Sequence, residues 1–185
     1  MRYLLIAVSV LLTINALSQG KKIVEKYGVR SCTEVSSKIE DGKTIEEKEF
    51  SSFDAKGNKT EKSLTTNNQL VEKDTYKYDK KNNVTEHVEY LKDGSIKKKT
   101  VMKYNSNDEV IEKLIYKDGD KLFKKELSSY NSLGEKISET VYDGNGLLVE
   151  KAVYKYDNKG LKTERLTHDN QSRLIGKKTY TYTFK

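Results

Sequence analysis

Apolar and polar residues alternate along most of this chain, as in "VTEHVEY" (84–90) and "IKKKTVMKY" (96–104). Val84, Val88 and Tyr90, or Ile96, Met102 and Tyr104, share a side at period two, which is the spacing of a strand and not of a helix. The segments recur. "YKYDKKNNVTEHVEYLKDGS" from Tyr76 returns in altered form as "YKYDNKGLKTERLTHDNQS" from Tyr154. Phe53, Tyr78, Tyr104, Tyr130, Tyr156 and Tyr182 fall in one column, and Tyr90, Tyr116, Tyr142 and His168 in a second.

Punctuation follows the same grid. Phe53 and the next four members of the first column, Tyr78 to Tyr156, are each followed by Asp or Asn, two variable residues, and then Gly57, Asn82, Asp108, Gly134 or Gly160. Between them lies another column: Gly42, Asn68, Gly94, Asp120, Gly146 and Ser172. Gly, Asn and Asp tolerate the positive φ that a hairpin loop with a left-handed residue demands. The chain is therefore predicted to be all-β, an antiparallel meander of about a dozen strands built from hairpin repeats of roughly 26 residues, its sheet extended or partly rolled. No proline interrupts it, so nothing blocks ladder hydrogen bonding. Residues 53–185 form the repeat domain and residues 19–52 an atypical cap, as terminal repeats often are.

Parity gives a finer expectation. Three-residue loops would keep facing residues on one parity, and every tyrosine after residue 70 is even-numbered, which predicts one tyrosine-bearing face. The odd face, with Ile111, Ile115, Phe123, Leu127, Ile137, Val141, Val149 and Val153, is the expected core, around which the sheet would curl. Glu86, Glu112 and Glu164 read as solvated strand positions facing lysines such as Lys98 and Lys124.

The first residues are of another kind. Arg2, an apolar run from Tyr3 to Ile14, and small Ala16 and Ser18 before Gln19 make residues 1–18 a secretory leader, cleaved between Ser18 and Gln19. The run is too short to cross a bilayer, so the mature chain is expected to be secreted or periplasmic, without a transmembrane segment. No face is apolar enough for a membrane barrel. Without Arg2 the charge is 34 basic against 28 acidic residues, with Lys and Glu interleaved, the pattern of a solvated surface. The single cysteine, Cys32, cannot form an internal disulfide.

The strings "YKYDNKG" and "YKYDKKNN", with the degenerate "MKYNSND" and "SSYNSLG", resemble the YD repeat of the Rhs family, Y-x-Y-D-x-x-G. Members of that family are bacterial surface and secreted proteins, and the resemblance implies antiparallel β-sheet. It implies no catalytic residue, and the chain ends in a strand-like "KKTYTYTFK" without the family's effector domain.

No candidate catalytic, cofactor-binding or metal-binding residue emerges, and no cofactor is expected. His87 and His168 are far apart in the order of strands, and no nucleophile elbow, phosphate loop or metal-ligand spacing is present. The tyrosines offer a binding chemistry instead: Tyr90, Tyr104, Tyr116, Tyr130, Tyr142 and Tyr156 are candidates for stacking on a ligand. Export argues against nucleic acid as a partner and leaves a protein or glycan surface. The expected function is a non-enzymatic exported β-repeat protein that binds or scaffolds at the cell envelope. The alternative is a glycan-binding or glycan-processing protein with its site in the irregular region around residues 20–75.

Overall fold

The computed structural model describes residues 24–40 and 43–183. The expected leader with its Ser18–Gln19 cleavage point, and Gly42, lie outside the described residues. After a single helical turn at residues 24–27, twelve strands follow in chain order. They are β1 (Ser31–Glu40), β2 (Lys43–Phe53), β3 (Lys59–Thr66), β4 (Gln69–Tyr78), β5 (Val84–Tyr90), β6 (Ile96–Tyr104), β7 (Val110–Lys117), β8 (Lys121–Tyr130), β9 (Lys136–Asp143), β10 (Leu148–Tyr156), β11 (Lys162–Asp169) and β12 (Leu174–Thr179). Each is hydrogen-bonded to its neighbours in sequence, giving one open antiparallel sheet in the order β1 to β12. The all-β meander is as the repeat predicts.

The expected core is not there. Only Val88, Val141 and Ala152 are buried hydrophobic residues among those described, and Ile111, Phe123, Ile137 and Val149 are exposed. With no second layer among the described residues, the sheet draws its stability from its ladders and from cross-strand side-chain pairs of about 0.2–1 kcal/mol each.

The single tyrosine face is also replaced, and a bulge is the reason. Every pairing from β2·β3 onward carries one register shift, and one extra residue on one strand reverses the parity of all pairs beyond it. Between β4 and β5, Tyr78 faces Val84, but past the shift Lys77 faces Glu86 and Lys73 faces Tyr90. Odd residues of the even-numbered strands thus share a face with even residues of the odd-numbered strands. Tyr90, Tyr116 and Tyr142 lie on one face, while Tyr78, Tyr104, Tyr130 and Tyr156 lie on the other. The expected apolar face is divided in the same way. Leu127 and Val153 accompany the first tyrosine set, and Ile115 and Val141 the second.

The turns at the tyrosine ends follow one plan. Gly57, Asn82, Asp108, Gly134 and Gly160 all have φ between 63° and 80°. The preceding Asp54, Asp79, Asn105, Asn131 and Asp157 each accept, through Oδ1, the backbone N–H groups two and four residues on, at 2.8–3.0 Å. That satisfies donors which the loop would otherwise leave unpaired. At the opposite ends Asn68, Gly94, Gly146 and Ser172 have positive φ as expected, but Asp120 does not. Asp118 and Gly119 take that role, because an Asp-Gly pair favours positive φ at both positions.

Candidate binding surface

Two tyrosine columns that look alike in sequence have different duties. In the first, the hydroxyls of Tyr78, Tyr104, Tyr130, Tyr156 and Tyr182 donate to the carbonyl oxygens of Lys59, Val84, Val110, Lys136 and Lys162 at 2.7–2.9 Å. Each acceptor is the residue at which the neighbouring strand begins after its turn, where the ladder is interrupted by the bulge. Burial, reinforced by the carboxylates of Asp54, Asp79 and Glu135 respectively, raises the phenol pKa of Tyr78, Tyr104 and Tyr156. These rings are neutral donors fixed into the sheet.

Tyr90, Tyr116 and Tyr142 stand on the other face, each directly opposite a lysine on the preceding strand. Lys73 faces Tyr90, Lys99 faces Tyr116, Lys125 faces Tyr142, and Lys151 faces His168 in the fourth repeat. Lys73 Nζ lies 5.6 Å from the Tyr90 ring centre and Lys99 Nζ 5.1 Å from that of Tyr116, within the range of a cation–π contact. Among the described residues, the hydroxyls of Tyr116 and Tyr142 have no hydrogen-bond partner in the protein. Repetition alone could not separate these columns, since the bulge that parts them leaves no mark in the spacing.

Charge is divided between the faces too. From β4 to β11 the lysine–tyrosine face carries Lys73, Lys77, Lys99, Lys103, Lys125, Lys151 and Lys155 against Glu86, Glu112 and Glu164. Two of these glutamates are shared. Glu112 contacts Lys103 and Lys125 at 2.6 and 3.4 Å, and Glu164 contacts Lys155 and Lys177 at 2.8 and 2.7 Å. Hydrogen bonds from Lys155 and then Lys177 pull the Glu164 carboxyl down to about 2, and Lys103 and Lys125 lower that of Glu112. The glutamates do not face Lys98 and Lys124, as alternation suggests; those lysines pair with Glu89 and Glu126 on the opposite face. Over the same strands that face holds Lys98, Lys113, Lys117, Lys121, Lys124, Lys136, Lys162 and Arg165 against Glu72, Asp74, Glu89, Glu126, Glu139, Asp143, Glu150 and Asp169, so its charges balance.

The opposite face also holds His87, whose Nε2 is 2.8 Å from Asp74 Oδ1 and whose ring stacks on Tyr76 at 4.6 Å between centres. Asp74 is buried. Burial, reinforced by the Asp74 charge, pushes the Tyr76 phenol up to about 12. His168 is on the lysine–tyrosine face, so the two histidines do not meet. Along the tyrosine edge shallow grooves open between successive turns, one lined by Leu133, Ile137, Tyr154 and Tyr156 and one by Lys56, Tyr76 and Tyr78. Among the described residues no group of three or more His, Cys, Asp or Glu is placed to hold a metal ion. No described helix is long and apolar enough to cross a membrane.

No protein-family model matches the chain, and no curated protein matches it. Among solved structures it is similar to a porin-like protein from Bacteroides uniformis, at 12% identity over 83% of this chain with a TM-score of 0.38. The chain spans 56% of the length of that protein. It is also similar to a protein with unknown function from Bacteroides fragilis, at 17% identity over 84% of this chain and 96% of the other, with a TM-score of 0.26.

Proposed function

We propose that this chain is an exported β-repeat protein of the YD-repeat kind that works without catalysis, as a scaffold presenting a sheet surface to a protein or glycan at the cell envelope. The observation that carries this reading is the division of labour between the tyrosine columns. One column is spent on the sheet's own carbonyls. The other is displayed beside lysines in equivalent positions on alternate strands. A surface repeated in register suits an extended partner, which can touch several equivalent positions at once and gain avidity without any deep pocket.

A second reading has one observation in its favour. The Asp74–His87 pair, with Asp74 buried and the imidazole stacked on Tyr76, is an arrangement from which a general base can be made. One experiment separates the two. The intact chain is incubated with an array of envelope glycans and proteins, and both retention and glycan turnover are measured, for wild type and for His87→Ala. Retention without turnover, equal in both proteins, is the expected result. Turnover that disappears in His87→Ala would replace scaffolding by glycan processing.

A further inference from the structure

We propose that the lysine–tyrosine face binds a linear acidic polysaccharide laid across the strands; the proposal rests on the surface-presenting reading above and names its ligand class. Three observations meet there. The first is charge. Lys73 pairs with Glu61 and Lys99 with Asp120, but lysines outnumber glutamates on this face, and since Glu112 and Glu164 each serve two lysines, cationic charge is left over. Lys151 has no ion-pair partner among the described residues. The opposite face has no such excess, so a polyanion has one side of the sheet to choose.

The second is geometry. The Lys73–Tyr90, Lys99–Tyr116 and Lys125–Tyr142 pairs recur on every second strand, which sets them roughly 10 Å apart across the sheet. A flexible chain of sugars bearing an anion on alternate residues can meet successive pairs at such a step. The third is chemistry. Each pair joins an ammonium group, which takes a carboxylate or sulfate, to an aromatic ring on whose face the C–H side of a pyranose can lie. A neutral glycan would use only the rings, and a phosphate backbone would need no rings at all.

The test is retention in affinity electrophoresis against three polymers: polygalacturonate, which carries carboxylates, dextran sulfate, and neutral dextran. Wild type is expected to be retarded by at least one acidic polymer and not by dextran, and which one identifies the anion. Lys125→Gln with Lys151→Gln should weaken that binding about tenfold or more. Lys117→Gln with Lys178→Gln, an equal charge change off this face, should leave it within about twofold. Tyr116→Ala with Tyr142→Ala should weaken it as strongly as the Lys125/Lys151 pair, with a β-type circular dichroism spectrum confirming that each variant is folded. Equal loss in the two lysine pairs would overturn the proposal in favour of nonspecific attraction, and so would equal retention on a single-stranded oligonucleotide. Retention by none of the polymers, in a chain that still captures partners on the envelope array, would overturn this inference alone. Failure on both would remove the surface-presenting reading as well.

Discussion

At the tyrosine edge all five described reversals use the same turn, whereas the five described at the opposite edge take three forms. Asn67 and Asn68 both have positive φ in a two-residue turn, Asp118 and Gly119 do so in a three-residue loop, and Gly94, Gly146 and Ser172 are single left-handed residues. Neighbouring chain accounts for the contrast. At the tyrosine edge each turn is held from outside by the next repeat, through a tyrosine hydroxyl on the first strand carbonyl and a side chain reaching the left-handed residue of the following turn. A Cβ added at Gly134 or Gly160 would meet Glu109 or Glu135, while one added at Gly94, Gly119 or Gly146 would meet nothing within 4 Å. A turn that touches its neighbour must repeat; one that faces solvent is free to vary.

The sharpest way to break this contrast lies at the opposite edge itself, where Gly144 is the exception. A Cβ there would run into the Leu122 carbonyl oxygen, and backbone cannot swing aside as a side chain can. Gly144→Ala is expected to cost about 3 kcal/mol, the upper part of the usual range for overpacking. Gly94→Ala and Gly146→Ala, with open space around them, should cost only the left-handed strain of roughly 1–2 kcal/mol. Urea titration of the three variants ranks them, and an equal cost at all three would show that crowding at the Gly144 turn is not what separates it from its neighbours.

The hydroxyl ladder comes next. Removing two of its members in Tyr104→Phe with Tyr130→Phe leaves the carbonyls of Val84 and Val110 without their donors. The expected loss is about 1–3 kcal/mol in total. The matched change on the displayed column, Tyr116→Phe with Tyr142→Phe, removes hydroxyls that bond to no described residue and should stay within about 0.5 kcal/mol. If both pairs lost the same stability, the two columns would not differ in duty.

That difference shows how far sequence reasoning reaches here. Period-two alternation and the grid of Gly, Asn and Asp announce hairpins because each is a local property of the backbone. The faces are not local. A single bulge residue in each hairpin decides whether Tyr116 and Tyr104 share a side, and its position is set by how the turn's hydrogen bonds close. Parity counting treats the loop as the whole of the reversal and therefore puts Tyr90, Tyr116 and Tyr142 on the wrong side of the sheet, with the other tyrosines, and gathers the supposed core in the same way. Lys73, Lys99, Lys125 and Lys151 recur every 26 residues, yet only the register pairs them with Tyr90, Tyr116, Tyr142 and His168.

Acid should act more gently, and on both edges. The backbone N–H of Asn83 holds Asp79 below the usual carboxylate range, the Lys81 ammonium does so for Asp108, and Arg173 for Asp169. Glu112 and Glu164 are lowered by their lysines. A carboxyl whose folded pKa is depressed contributes stability that is fully present above its unfolded value near 4 and is lost as pH falls through the folded value. Stability should therefore be level from about pH 7 to pH 5 and decline between about pH 4 and pH 2, and because none of these groups is fully buried, added salt should shrink the decline. Thermal melts across that range check it; a fall that begins above pH 5 would point to groups other than these carboxylates.

The smallest effect tests the turn-to-turn contact most directly. Asn58 and Asn83 donate through Nδ2 to the Oδ1 atoms of Asn82 and Asp108, the left-handed residues of the next turns, at 2.9 Å. Where the reaching residue is the longer Glu109 or Glu135, the next left-handed residue is Gly134 or Gly160, and a Cβ on it would come within 2.9 or 3.2 Å of the carboxylate. A short amide thus goes with a side-chain-bearing partner, and a glutamate with glycine. Gly134→Asn alone must displace Glu109, which also accepts a hydrogen bond from Asn105; Glu109→Asn alone leaves its amide over a bare glycine. Made together, they rebuild the contact seen between Asn58 and Asn82. The double variant should be more stable than the sum of the single changes by about 0.5 kcal/mol or more. Additivity within about 0.3 kcal/mol would mean that successive turns keep one form because each sequence repeats, with no contact between them enforcing it.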